Sequence, residues 1–121
     1  MELNELTADE RIALVALLEL VVAADGDVSY EELAQIKRVM HAVGDRAYRE
    51  AVKAADERFE SDDVALAFIT AVERPEARAL IYETAIEAAV AHGVAGRESE
   101  LLTQIQKRWR VPVRFEGPEG S

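Results

Sequence analysis

The chain has no cysteine. Disulfides, thiolate zinc sites and cysteine nucleophiles are therefore excluded. Aromatic residues are scarce at 6% of 121 residues, and only three prolines and six glycines interrupt the sequence. Long apolar runs are missing too. The longest, Ile12 to Ala24, is broken by Glu19 and falls short of a bilayer's thickness. Basic residues are in the minority, 14 against 24 acidic, for a net charge of −10. Phosphate backbones would repel such a chain, so nucleic acid is not an expected partner. The opening residues Met1-Glu2-Leu3-Asn4-Glu5 are acidic where a signal peptide is basic. These absences lead us to expect a soluble cytoplasmic protein with no direct membrane insertion. The mass of 13.4 kDa fits one domain.

Half of the residues are apolar, enough for a real core. No stretch alternates cleanly, and alanine, leucine and glutamate dominate, which favours helix over strand. The expected fold is all-α, a compact bundle of about six to seven helices. Residues 1–113 form the helical domain and 114–121 a flexible C-terminal tail. Helix one is expected from about Ala8 to Ala24, capped by the box Thr7-Ala8-Asp9-Glu10. Its segment Ile12–Leu18 is apolar on nearly every face and belongs in the middle of the bundle. Gly26 suits the end of that helix. A second box, Ser29-Tyr30-Glu31-Glu32, opens helix two, whose stripe Leu33, Ile36, Met40 and Val43 should be buried. Gly44 closes it.

Helix three covers about Asp45 to Arg58, with Tyr48, Ala51, Val52 and Ala55 inward, and reads as peripheral. Ser61-Asp62-Asp63 starts helix four, with acids where the helix dipole favours them. Pro75 suits the first turn of helix five, which runs to about His92. Its inward face is Ala77, Leu80, Ile81, Ala85, Ala88 and Ala89. Helix six carries Leu102, Ile105 and Trp109 at 3–4 spacing. Trp109 should pack on helix one or five. Tyr30, Tyr48, Tyr82, Phe59 and Phe68 read as core or core-edge residues.

The pattern of apolar helix, loop and amphipathic helix occurs twice. It runs through Ala23-Ala24-Asp25-Gly26 and again through Val90-Ala91-His92-Gly93, a weak internal repeat. The acidic excess follows it. Residues 1–36 hold nine acids and one base, and residues 59–100 hold nine acids and three bases. Side by side in a bundle, the two units would build one acidic face.

The segment Asp25-Gly26-Asp27-Val28-Ser29-Tyr30-Glu31-Glu32 offers four carboxylates and a hydroxyl within eight residues. Calcium and magnesium require oxygen ligands at this density. Asp25 carries the argument furthest. A negative charge at a helix C-terminus is unfavourable by a few tenths to ~1 kcal/mol, and a bound cation would offset that. The alternative is a turn with solvated charges. Ser29 and Glu32 are accounted for by capping, Glu31 by the helix dipole, and Asp-Gly is an ordinary turn dipeptide. An EF-hand is excluded, because a loop starting at Asp25 places Tyr30 where glycine is needed and Ile36 where the bidentate glutamate belongs. The second loop retains Glu98 and Glu100 but has His92 where the first has Asp25. A histidine at a helix C-terminus is explained by capping or packing more readily than by ligation.

Catalysis is not expected. Neither His41 nor His92 has a recognisable nucleophile nearby, and the chain has no Gly-rich phosphate loop and no His-x-x-x-His spacing. The acidic face could instead meet a basic protein partner, and the basic cluster Lys107, Arg108 and Arg110 an acidic one.

The stretch Leu17-Leu18-Glu19-Leu20-Val21-Val22-Ala23-Ala24-Asp25-Gly26-Asp27-Val28-Ser29-Tyr30-Glu31-Glu32-Leu33 resembles the first acidic motif of the tellurite-resistance TerB family. That family also includes a domain of DjlA-type co-chaperones. Glu87 through Leu102 resembles the second motif, with His92 in place of the expected aspartate. The resemblance spans about residues 8–110. It implies an all-helical bundle with a pseudo-twofold arrangement of the two motifs. It also implies a divalent-cation site, for calcium or magnesium. Matched by position, Asp25, Asp27 and Glu32 belong to the first motif and Glu98 or Glu100 to the second. Glu31 joins them as a candidate ligand from its place in the acidic segment. The implied role is a binding module in bacterial stress response, working through a protein partner or a membrane-associated assembly.

Overall fold

A computed structural model describes residues 1–25, 30–92 and 96–109. A 3₁₀ turn over Leu3–Glu5 precedes six α-helices. These are α1 (Ala8–Asp25), α2 (Tyr30–Val43), α3 (Asp45–Arg58), α4 (Asp62–Thr70), α5 (Pro75–His92) and α6 (Gly96–Trp109). No strand occurs among the described residues. The all-α expectation holds, and the sequence signals explain the helix starts. Thr7 and Glu10 form the reciprocal box: the Glu10 amide donates to Thr7 Oγ1 at 3.2 Å, and the Thr7 amide donates to Glu10 Oε1 at 2.8 Å. The Ser61 hydroxyl accepts from the Val64 amide at 3.3 Å, capping α4. Gly44 sits at φ +110°, a conformation that favours glycine, and its amide donates to the Met40 carbonyl at 2.9 Å to close α2.

The hydrophobic centre is α1. Ile12 through Leu18 are all buried, as is Val21, because α1 is packed on several sides by α3, α4, α5 and α6. The second central helix is α5, packed against α1, α2 and α6. Its buried set extends beyond the alanine-rich stripe to Tyr82, Thr84 and Ile86. The Thr84 hydroxyl is satisfied by donating to the Leu80 carbonyl at 2.7 Å. The amphipathic helices α2, α3 and α6 each bury one face. Although α3 is an outer helix, it packs mainly on α1, burying Tyr48, Ala51 and Ala55.

Two packing expectations are corrected. Leu33 is 43% exposed, and the buried stripe of α2 is Val39 and Val43, flanked by half-buried Ile36 and Met40. At 100° per residue, Leu33 lies about 120° around the helix from Val39. Tyr30 is 85% exposed on the first turn of α2, not at the core edge. Trp109 is buried in the core as expected, and its indole N–H also donates to the Thr70 carbonyl at the end of α4, at 3.4 Å. The expected caps at Gly26 and Ser29 and the tail over 114–121 lie outside the described residues.

The helix directions follow from a few contacts. Arg74, just before α5, binds Glu10 in the first turn of α1, so α1 and α5 start at the same end. Leu20 and Ala23, late in α1, share a groove with Glu100, early in α6. Since α6 begins shortly after α5 stops, α1 and α5 also finish at one end and run parallel. Gln35, early in α2, donates to Glu87, late in α5, at 3.1 Å, which brings the start of α2 to that end too.

Candidate functional site

The candidate carboxylates within helices are placed by the ends of α1, α2 and α6. Asp25 is the last residue of α1, Glu31 and Glu32 belong to the first turn of α2, and Glu98 and Glu100 to the first turns of α6. Glu31 and Glu100 are both exposed. Asp27 lies outside the described residues, as do the side chains of Asp25, Glu32, His92 and Glu98. Among the described residues, no three histidine, aspartate or glutamate side chains gather closely enough to hold a metal ion. The chemistry of the predicted donor set, all carboxylate oxygen, is that of a hard-cation site.

The structure joins Glu100 to two acids that the sequence offered only as dipole partners of α4. Glu100, Asp62 and Asp63 line a groove of about 320 Å³, whose apolar wall is Leu20, Ala23, Leu66 and Leu101. A second groove of about 280 Å³ continues it between α1 and α3. That one adds Glu19, Asp56 and Glu60, and it shares Leu20, Ala23 and Asp62 with the first. Among the described residues, no lysine, arginine or histidine lines either groove. Burial raises the Glu19 carboxyl above the ordinary glutamate value, and the neighbouring charge of Asp56 raises it further. The Tyr48 hydroxyl is raised as well, by burial first and then by Glu19.

One sequence signal could have found this surface. Glu19 is the single charge inside the apolar run of α1, so it has to reach solvent at the seam between helices. The fourfold neighbours Asp56 and Glu60 on the α3 side, and Asp62 on α4, gave no such signal.

At the opposite end the carboxylate chemistry is reversed. Glu10 is only 6% exposed, yet both its oxygens accept from Arg74, Oε2 from Nε at 2.8 Å and Oε1 from Nη2 at 2.6 Å. These bonds hold the Glu10 carboxyl below its ordinary value against the opposing effect of burial. Nearby, Arg11 donates to the Leu6 carbonyl at 2.9 Å and Arg78 to the Val72 carbonyl at 2.6 Å. Each of these arginines is committed to holding the chain together. His41 is exposed near the end of α2 and pairs on the surface with Asp45, the first residue of α3, at 3.2 Å.

Comparison with known proteins finds no match: no family model, curated protein or solved structure aligns significantly with this chain. No helix among the described residues is long and apolar enough to cross a membrane.

Proposed function

We propose that this chain is a TerB-like binding module and not an enzyme. Its acidic end takes a divalent cation, calcium or magnesium, and acts through a protein partner in a bacterial stress response. The observation that carries the reading is the parallel course of α1 and α5. It brings the last turns of α1 and α5 to the end of the bundle where the acidic starts of α2 and α6 lie. The ligands would be Asp25, Asp27, Glu31 and Glu32 from the first loop, with Glu98 or Glu100 from the second. Each supplies carboxylate oxygen. The cation would neutralise repulsion among them and the unfavourable charge of Asp25 at the end of α1. Support for the family comes from the first motif, residues 17–33.

A melting curve with and without added cation tests this. Sites of this kind bind calcium at roughly 10⁻⁵–10⁻³ M. A hundredfold excess over the dissociation constant should then stabilise the fold by about 2.7 kcal/mol. A curve unmoved by millimolar calcium, magnesium and manganese removes the cation from the proposal. The second reading, a metal-independent interaction module, then stands. It is favoured by the chain of groove carboxylates, for which no cationic partner occurs among the described residues.

A further inference from the structure

We propose that the double groove between α1, α3, α4 and α6 docks a lysine- and arginine-rich amphipathic helix of another protein. The inference deepens the partner half of the proposed function and is independent of the cation half. Two features of the groove carry it together. Its floor includes apolar side chains: Leu20, Leu66 and Leu101 are half-buried among more exposed polar groups, and Phe59 lies in the continuation beside α3. Its rim is acidic: Glu19, Asp56, Glu60, Asp62, Asp63 and Glu100. A hydrated metal ion makes no use of an apolar floor, and a plain polycation leaves it uncovered. A helix with apolar side chains at i, i+3, i+4 and i+7, and cations on both flanks, satisfies floor and rim at once.

Charge complementarity also selects among occupants. A second copy of this chain brings its own net charge of −10, and a nucleic acid brings phosphates. Burial of a cationic partner beside Glu19 would relieve the repulsion from Asp56 that the free protein carries. Glu100 lines the groove and is also a candidate cation ligand, so the two ligands would meet at one side chain.

The probe is a synthetic amphipathic helix of about five turns, with a leucine stripe and lysine flanks. Three controls accompany it: the same leucine stripe with glutamate flanks, a lysine peptide with serine in place of leucine, and the protein alone in sedimentation. Titrations are run in EDTA at physiological salt, followed by calorimetry and by amide chemical shifts. The leucine–lysine helix should bind with shifts centred on Leu20–Ala23, Asp62–Leu66 and Glu100–Gln104, and both control peptides should bind at least about tenfold more weakly. Asp56 and Glu100 are exposed, so the double variant Asp56→Lys, Glu100→Lys should keep its circular dichroism and lose at least about tenfold in affinity. Glu73→Lys, at the opposite end, should retain most of it. No binding, equal binding of a control peptide, shifts on another face, or a dimer formed through this groove would each overturn the docking proposal. Because the titration contains no free divalent cation, a failure of cation binding leaves its outcome unchanged.

Discussion

Glu10 and Glu19 lie on the same helix, about two and a half turns apart, and their surroundings treat them in opposite ways. Glu10 is buried, capped by Thr7 and gripped by Arg74, and its carboxyl is held low. Glu19 borders an open groove beside Asp56, and its carboxyl is pushed up. One end of the bundle uses charge to join α1 to α5. The other leaves like charges facing each other, which stabilises nothing in the free protein. Function is therefore to be sought where acids line a groove and have no cationic partner among the described residues, away from the end where Arg74 uses charge to hold the fold.

The largest effect should come from the helix that links the two ends. Leu17 is fully buried in the middle of α1. Leu17→Ala should cost about 2–5 kcal/mol, read as a lowered denaturation midpoint, and both ends should loosen together. A parent-like midpoint would mean that α1 is not the common core.

The paired end should respond next. Arg74→Leu leaves the Glu10 carboxylate buried without its main partner, so the melting temperature at neutral pH should fall. Glu10 has a depressed carboxyl, so its contribution is present above the ordinary glutamate value of 4.5 and is lost as pH falls through the lower folded value. The gap between parent and variant should therefore close in acid. A gap independent of pH would show that Arg74 acts by packing alone.

At the open end the sign reverses. Asp25→Asn removes a charge from the C-terminus of α1 and should stabilise the metal-free protein by a few tenths to ~1 kcal/mol. With cation present the same variant should lose part of the ligand-induced gain, while His92→Asn should respond like the parent. Destabilisation of the metal-free protein by Asp25→Asn would make the carboxylate a structural acceptor in the turn.

Glu19→Gln should give the smallest effect, a gain of under about 0.5 kcal/mol at neutral pH. Its raised carboxyl favours the protonated form in the fold, so the parent recovers this difference as pH falls below that raised value. Matched melting curves at neutral and acid pH give the sign. A loss at neutral pH would mean that Glu19 is satisfied by a partner.

The helices were largely legible because their punctuation is local. Thr7, Gly44, Ser61 and Pro75 mark boundaries through their own backbone chemistry, and the structure places helix ends beside each of them. The 3₁₀ turn at Leu3–Glu5 was not legible, since so short an element has no periodicity to detect. Burial on amphipathic helices was read well on α6, where Leu102, Ile105 and Trp109 are all buried. It failed at Leu33, where the seam with α5 follows Val39 and Val43 instead. The acidic groove was not legible as a unit. Carboxylate density marked the first loop, but the meeting of Glu100 with Asp62 and Asp63 depends on the packing of α6 against α4. The Glu10–Arg74 pair was hidden for the same reason, because its members are far apart in the chain and Glu10 already had a local explanation as a cap.

The central claim, that binding belongs to the acidic end and stability to the other, is tested most directly by amide chemical shifts during a calcium titration of the intact chain. The account predicts saturable shifts at Asp25–Leu33 and Gly96–Leu101, with the amides around Glu10 and Arg74 unmoved. Shifts centred on Glu10 and Arg74, or none anywhere at millimolar calcium, would contradict it.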